Sequence, residues 1–252
     1  MSPVAHGANT VDGKFVSTRW TIVLAAGDSK LASAAAGAAL SDLCRTYWRP
    51  LYLFLRREGI SSEDAQDLTQ GFFAEMIRDR TFRRADREKG RFRSFLLGAL
   101  KHFLADARDR WRAQKRGGGQ VPELFDQQTV AEVEAQVQSA GQWSASVLFD
   151  REWAAALLRR TLDRLAQECA IAGKTTLFES LRSFLAGTSD EAIPYDDISQ
   201  RLHRNPVTLR SDVARLRTRY RAILREEVGG TVLEPAEIDD ELRYLCQVLA
   251  QS

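Results

Sequence analysis

Apolar side chains recur at three- and four-residue intervals through almost every stretch of this chain, as at Leu209, Val213, Leu216 and Tyr220. That spacing matches the 3.6-residue turn of an α-helix, whereas a half-buried strand would alternate at every second position. Only "TRWTIVLAA" at residues 18–26 is ambiguous between the two, so the predicted fold class is all-α. With 252 residues, 44% of them hydrophobic, the chain can build one large or two small cores.

Breakers cut the periodic stretches into elements. "SAAAGAALSDLCRTYW" reads as a helix that Pro50 should break or kink before "LYLFLRREG" ends at Gly59. Ser61, with Asp64 three residues later, fits a capping box that opens "EDAQDLTQGFFAEMI". The polar stretch "RTFRRADREKG" leads into an amphipathic helix from about Phe92 to Arg112, stopped by "RGGG" at 116–119. Residues 117–147, rich in Gln, Gly and acids, read as a linker in which "VAEVEAQV" could form a short helix. Helical spacing resumes in "FDREWAAALLRRTLDRLAQECA" and "TTLFESLRSFLAG". "IPYDDISQRLHRNPVTLRSDVARLRTRYRAILREEV" then gives a shorter helix, a turn and a longer helix, with Asn205 as N-cap and Pro206 as first helical residue. The expected organisation is a tail (1–17), a helical domain (18–116), the linker (117–147), a second domain with a helix-turn-helix (148–228), and an acidic helical extension (229–252).

A net charge of +2 conceals strong segregation. Residues 61–79 hold five acids and one base, and residues 89–116 hold nine bases and two acids. Residues 201–225 carry eight arginines and one acid, and residues 226–252 carry seven acids and one base. Two separate basic blocks in helical sequence suggest two contacts with a polyanion; solvated helix faces are the alternative. On the helix from Phe92 the spacing puts Phe92, Phe95, Leu96, Ala99, Phe103 and Ala107 on one side and Ser94, Lys101, Arg108 and Arg112 on the other. Gly98 and Ala105 lie between those bases, and small residues there would let a phosphate backbone approach. In the last helix pair, Ile198, Leu202, Leu209, Val213, Leu216 and Tyr220 are expected inside, leaving Arg210, Ser211, Ala214 and Arg215 outward. This is the form of a helix-turn-helix whose second helix enters a major groove; an ordinary helical hairpin is the alternative.

Other chemistries find little support. No apolar run reaches membrane-spanning length, and the N-terminus has no apolar signal core, so a cytoplasmic chain is expected. The cysteines Cys44, Cys169 and Cys246 are far apart and read as small buried hydrophobes. "AGKTT" at 172–176 is not a phosphate loop, because Glu168 stands where the motif needs glycine. His102 and Asp106, four apart, lack the further ligands of a metal site. No metal, cofactor or catalytic set is therefore predicted, and an enzyme acting on nucleic acid would need a carboxylate or metal cluster that spacing does not show.

Taken in order, "DAQDLTQGFF", "GRFRSFLLGALKHFLADARDR", an acidic linker and "IPYDDISQRLHRNPVTLRSDVARLRTRYR" resemble bacterial RNA polymerase sigma factors of the extracytoplasmic-function (ECF) group. "TRWTIVLAA", "LCRTYWRPLY" and "KRGGG" resemble a subfamily with a long linker and a C-terminal extension. The resemblance implies that Asp64, Asp67, Gln70 and Phe73 lie on the helix that docks on the clamp helices of the largest β-type polymerase subunit. It implies that Arg91, Arg93, Phe95, Lys101, Arg108 and Arg112 serve opening of the −10 element and hold its unpaired strand, with loop 80–90 receiving a flipped base. It implies further that Asn205, Val207, Thr208, Arg210, Ser211 and Arg215 face the −35 element beside the polymerase flap. The implied setting is the bacterial nucleoid, with promoter DNA and core polymerase as partners and an anti-sigma protein or self-restraint as control.

Gly71, His102 and Asp212 depart from that group's usual residues, and no base contact is carried onto His102. The acidic extension lies outside the group's common core and is expected to pack on a basic DNA-binding surface. A helix-turn-helix regulator that does not act through polymerase is the competing reading.

Overall fold

In the computed structural model, which describes residues 34–78, 91–111, 127–185, 195–232 and 234–251, every regular element is a helix. Within those helices the side chains of 34–43, 77–78, 108–111 and 127–129 are outside the described set, as is the whole of segment 18–26. The all-α prediction thus holds for the described residues.

Helix α1 (Ala34–Arg57) contains Pro50 and continues through it, so of the expected break or kink the break does not occur. A mid-helix proline costs about 3 kcal/mol. Here Tyr47, Trp48, Leu51 and Tyr52 around it are all at most 5% exposed, and their burial outweighs that cost. The predicted stop at Gly59 is present. Gly59 has φ 84°, with Ile60 N–H donating to Leu55 O (3.2 Å) and Gly59 N–H to Arg56 O (3.1 Å), the pair of bonds that closes a helix with a left-handed residue.

Helix α2 (Ser62–Arg78) and helix α3 (Phe92–Trp111) bury Phe72, Phe73, Met76, Phe92, Leu96 and Leu100 into one core with α1. The buried side of α3 is turned from the expected one: Leu100 and Leu104 are inside, while Phe95, Ala99 and Phe103 are only half-buried. At its start α3 is also covered by later parts of the chain, through Thr231, Trp153 and Glu241.

Helix α4 (Gln127–Ser139) lies inside the expected linker and packs on α1. Val133 is fully buried, and Arg56 grips Glu134 with two nitrogens, at 2.6 and 2.8 Å. Arg57 donates to the carbonyls of Trp143 (2.8 Å) and Gly141 (2.6 Å) just beyond the helix. The Arg56 bonds hold the Glu134 carboxyl below its ordinary value of 4.5. A depressed carboxylate stabilises the fold above its ordinary value, and the contribution is lost as pH falls through the folded value. Glu134→Gln should therefore cost about 1 kcal/mol at neutral pH. The gap between wild type and variant, read from urea midpoints, should close as the pH is taken below 4.5.

Helix α5 (Ala145–Ile171), opened by Ser144, whose hydroxyl accepts the Val147 N–H at 3.3 Å, has 27 residues and joins two cores. Its first half gives Phe149, Trp153 and Leu157 to the core of α1–α3; its second half packs Leu165 and Cys169 against Phe178, Leu185, Tyr220 and Ile223. The boundary expected at 148 falls inside this helix. Gly173, φ 67°, ends it with Lys174 N–H bonded to Cys169 O at 2.8 Å, so "AGKTT" is a helix stop.

Helices α6 (Thr175–Leu181), α7 (Tyr195–Leu202) and α8 (Pro206–Gly229) surround a smaller core of Leu177, Leu181, Tyr195, Ile198, Leu209 and Val213. Ion pairs fix α8 along α5: Arg160 to Glu227 at 2.7 Å, and Arg219 to Glu168 at 2.7 Å. The extension then returns to the first core. Phe92 N–H donates to Thr231 O at 3.0 Å, and α9 (Ile238–Ala250) sinks Leu245 into that core and buries Val248.

Candidate nucleic-acid and protein-docking surfaces

The ridge on α2 begins with the predicted cap. Ser61 accepts the Asp64 N–H at 3.1 Å and returns its hydroxyl to the Asp64 carboxylate at 2.8 Å. Asp64 is thereby tied to helix initiation, while Asp67 is exposed and Gln70 half-buried. Phe73, expected at a partner surface, is 2% exposed and sits in the core beside Phe72. Its aromatic bulk fixes the rotation of α2, which turns Asp67 outward, and no docking contact by Phe73 is available in this arrangement. Gly71 lies under Phe103, where an added Cβ would meet the ring edge at 3.6 Å, an ordinary contact.

On α3 the predicted strand-holding residues divide. Lys101 is exposed, with its ammonium 5.5 Å from the Phe54 ring centre, and Phe95 is half-buried and stacked 6.4 Å from Phe92. Arg108 is described only in its backbone; Arg112 and loop 80–90 lie outside the described residues. Arg93, expected to face nucleic acid, is instead buried, because two acids from distant helices close on it. Its Nε donates to Glu241 at 2.7 Å, its Nη1 to Asp150 at 2.8 Å, and its guanidinium lies 4.1 Å from the Tyr244 ring centre. Arg91, half-buried, pairs with the other oxygen of Glu241 at 2.9 Å. Burial opposes the charge on Arg93, but the Glu241 hydrogen bond and the charges of Glu241 and Asp150 outweigh it, so the guanidinium is held more firmly protonated than usual. The Tyr244 hydroxyl completes the cluster by donating to Asp150 at 2.6 Å.

The α7–α8 connection is a three-residue turn. His203 takes φ 50°, a left-handed backbone conformation that glycine adopts most readily, and Asn205 caps α8 by accepting the Val207 N–H at 2.8 Å. Leu209 and Val213 anchor the helix in the small core, which leaves Val207, Thr208, Arg210, Ser211, Ala214 and Arg215 exposed along its first half. Val207 is 68% exposed, an apolar side chain on a mostly polar face. Asp212 is not on that face. It is 7% exposed and accepts from Arg204 at 3.0 Å and Arg215 at 2.7 Å, so its charge is compensated before any phosphate would be met. Arg210 rests 5.2 Å from the Tyr195 ring centre, and Arg217 turns inward to the Phe184 carbonyl at 3.1 Å.

Among the described residues no three His, Cys, Asp or Glu side chains converge to hold a metal, and no helix is long and apolar enough to cross a membrane. His102 and Asp106 are both exposed. Burial pushes the Cys44 thiol up to about 12 and raises Cys169; Cys246 is exposed, unlike the expectation for it. Asp150, Glu241 and Tyr244 are the participants that sequence reading missed. Glu241 and Tyr244 share a helical face by their spacing, but nothing in the sequence connects them to an arginine 148 residues away. No protein-family model matches this chain, nor does any curated protein or solved structure.

Proposed function

We propose that this chain is an ECF-type sigma factor, which binds core RNA polymerase, directs it to promoters and helps to open them in the bacterial cytoplasm. The observation that carries this reading is the pairing of two differently charged, outward helix faces on one scaffold. The α2 face presents Asp67 and Gln70 and suits a basic helical protein partner, since charge complementarity guides such docking. The first half of α8 presents Val207, Thr208, Arg210, Ser211 and Arg215 and suits a major groove, apolar and hydroxyl groups toward base edges with arginines beside phosphates. Double-stranded −35 DNA and the polymerase flap would meet the α6–α8 unit, and the clamp helices would meet α2. No catalytic chemistry belongs to this role.

Charge reversal at Asp67 tests it, because Asp67, unlike Asp64, has no capping duty. Asp67→Arg should weaken capture of core polymerase by more than about tenfold while duplex binding by α8 and the melting temperature stay unchanged. A helix-turn-helix regulator independent of polymerase would show no change in activity with that variant. Co-purification of the wild-type chain with core polymerase, followed by transcription from its own upstream region, provides the positive arm.

A further inference from the structure

Arg91 and Arg93 stand at the start of α3, the helix that the resemblance to ECF sigma factors gives to an unpaired DNA strand, yet both are occupied. The occupant is built like a ligand. Glu241, 1% exposed, places one carboxylate oxygen 2.7 Å from Arg93 Nε and the other 2.9 Å from Arg91 Nε. Arg93 holds this oxyanion by a hydrogen bond and Arg91 by charge alone, and two guanidiniums beside one oxyanion serve carboxylate and phosphate alike. Tyr244 covers both guanidiniums, 4.1 and 5.9 Å from its ring centre, as a nucleobase stacked on arginine would. Anion and aromatic face come from one helix, α9, at adjoining helical positions.

We propose that α9 is a built-in competitor for single-stranded nucleic acid, with Glu241 in the place of a phosphate and Tyr244 in the place of a base. The inference rests on the reading of Arg91 and Arg93 as strand-binding residues. Strand binding requires α9 to lift, so the free chain is restrained, and release of α9 sets two arginines and the start of α3 before the strand. Asp150 on α5 stays with Arg93 when α9 leaves and keeps the guanidinium in position, at 2.8 Å. Deletion of the whole extension would also remove Leu245 and Val248 from packed interiors, so substitution of the clamp itself is the cleaner test.

The experiment uses the full chain and an oligothymidylate of about 20 nucleotides, longer than a typical single-strand footprint. Glu241→Gln should bind it about tenfold more tightly than wild type, with log affinity falling more steeply against log salt by about 1.4, the share of two further phosphates. Arg91→Ala with Arg93→Ala in the Glu241→Gln background should cancel both effects. A Glu241→Gln chain that melts earlier but binds the strand no better overturns the proposal, as does a gain that survives loss of the arginines. Should Glu241→Gln fail to fold, Glu241→Asp keeps the charge but withdraws the carboxylate by one methylene, and a gain of about threefold is expected; no gain overturns the proposal. Capture of core polymerase is read in parallel. Intact capture with no strand gain sinks the competitor and spares the sigma reading, whereas strand gain without capture supports the competitor and sinks the sigma reading.

Discussion

Trp153→Ala is expected to lower the unfolding free energy by about 3–5 kcal/mol, the range for an aromatic removed from a packed interior. Trp153 is fully buried and lies at the centre of the aromatic cluster: stacked on Tyr47 at 3.8 Å and 10°, and 5.8 and 5.9 Å from Phe92 and Phe149. Its indole N–H has no hydrogen-bond acceptor among the described residues, so the loss is one of packing, with no polar bond to forfeit. Trp153→Phe, which refills most of the volume and removes that unpaired N–H, should accordingly cost less than about 1.5 kcal/mol. Urea midpoints for the two variants would check the ordering. Because α5 carries Trp153 in one core and Leu165 in the other, the alanine variant should unfold in a single transition; two separated transitions would refute the sharing of that helix.

Arg93→Ala should be destabilising to a similar extent, about 3–5 kcal/mol, for a different reason. Removing one partner of a buried ion pair leaves the other charge without compensation, and that penalty exceeds the net worth of the pair. Glu241 at 1% exposure would keep only Arg91, and Asp150 only the Tyr244 hydroxyl. The double variant Arg93→Ala with Glu241→Ala should therefore be more stable than Arg93→Ala alone, a sign reversal seen in a double-mutant cycle of thermal or urea unfolding. Equal losses at both steps would mean that the two side chains do not interact.

Local signals in the sequence translated well into structure. Asn205 and Pro206 start α8, Ser61 and Asp64 start α2, and Gly59 stops α1, each through bonds confined to one turn. The inside of α8 was legible for the same reason, since Leu209 and Val213 repeat at helical spacing on a helix with one packed side. Pro50 does not stop α1, because a local rule met burial on all sides. The turned face of α3 misled because periodicity describes one stripe at a time, and the start of this helix meets a second set of neighbours. Least legible were the pairings across the chain: Arg56 with Glu134, and Arg93 with Asp150 and Glu241. A charged residue in a helical pattern reads as solvent-facing until the oppositely charged surface that covers it is known, and helix-to-helix assembly carries no periodic signature. The same fact separates the two candidate surfaces. Asp67 and the start of α8 are exposed as anticipated, whereas Arg91 and Arg93 are covered.

The unbroken course of α5 has a metrical consequence. A helix of 27 residues at 1.5 Å each is a rod of about 40 Å, and its two ends are seated in different cores. The helices at either end are therefore held at a set separation and a set angular phase, as marks on a ruler. One residue inserted near Leu158 would lengthen the rod by about 1.5 Å but turn one set of helices by about 100° against the other. For a chain of this build, phase is the stricter dimension: substitutions along the rod are tolerated where they preserve its count, and a change of count alters what the two ends can face together.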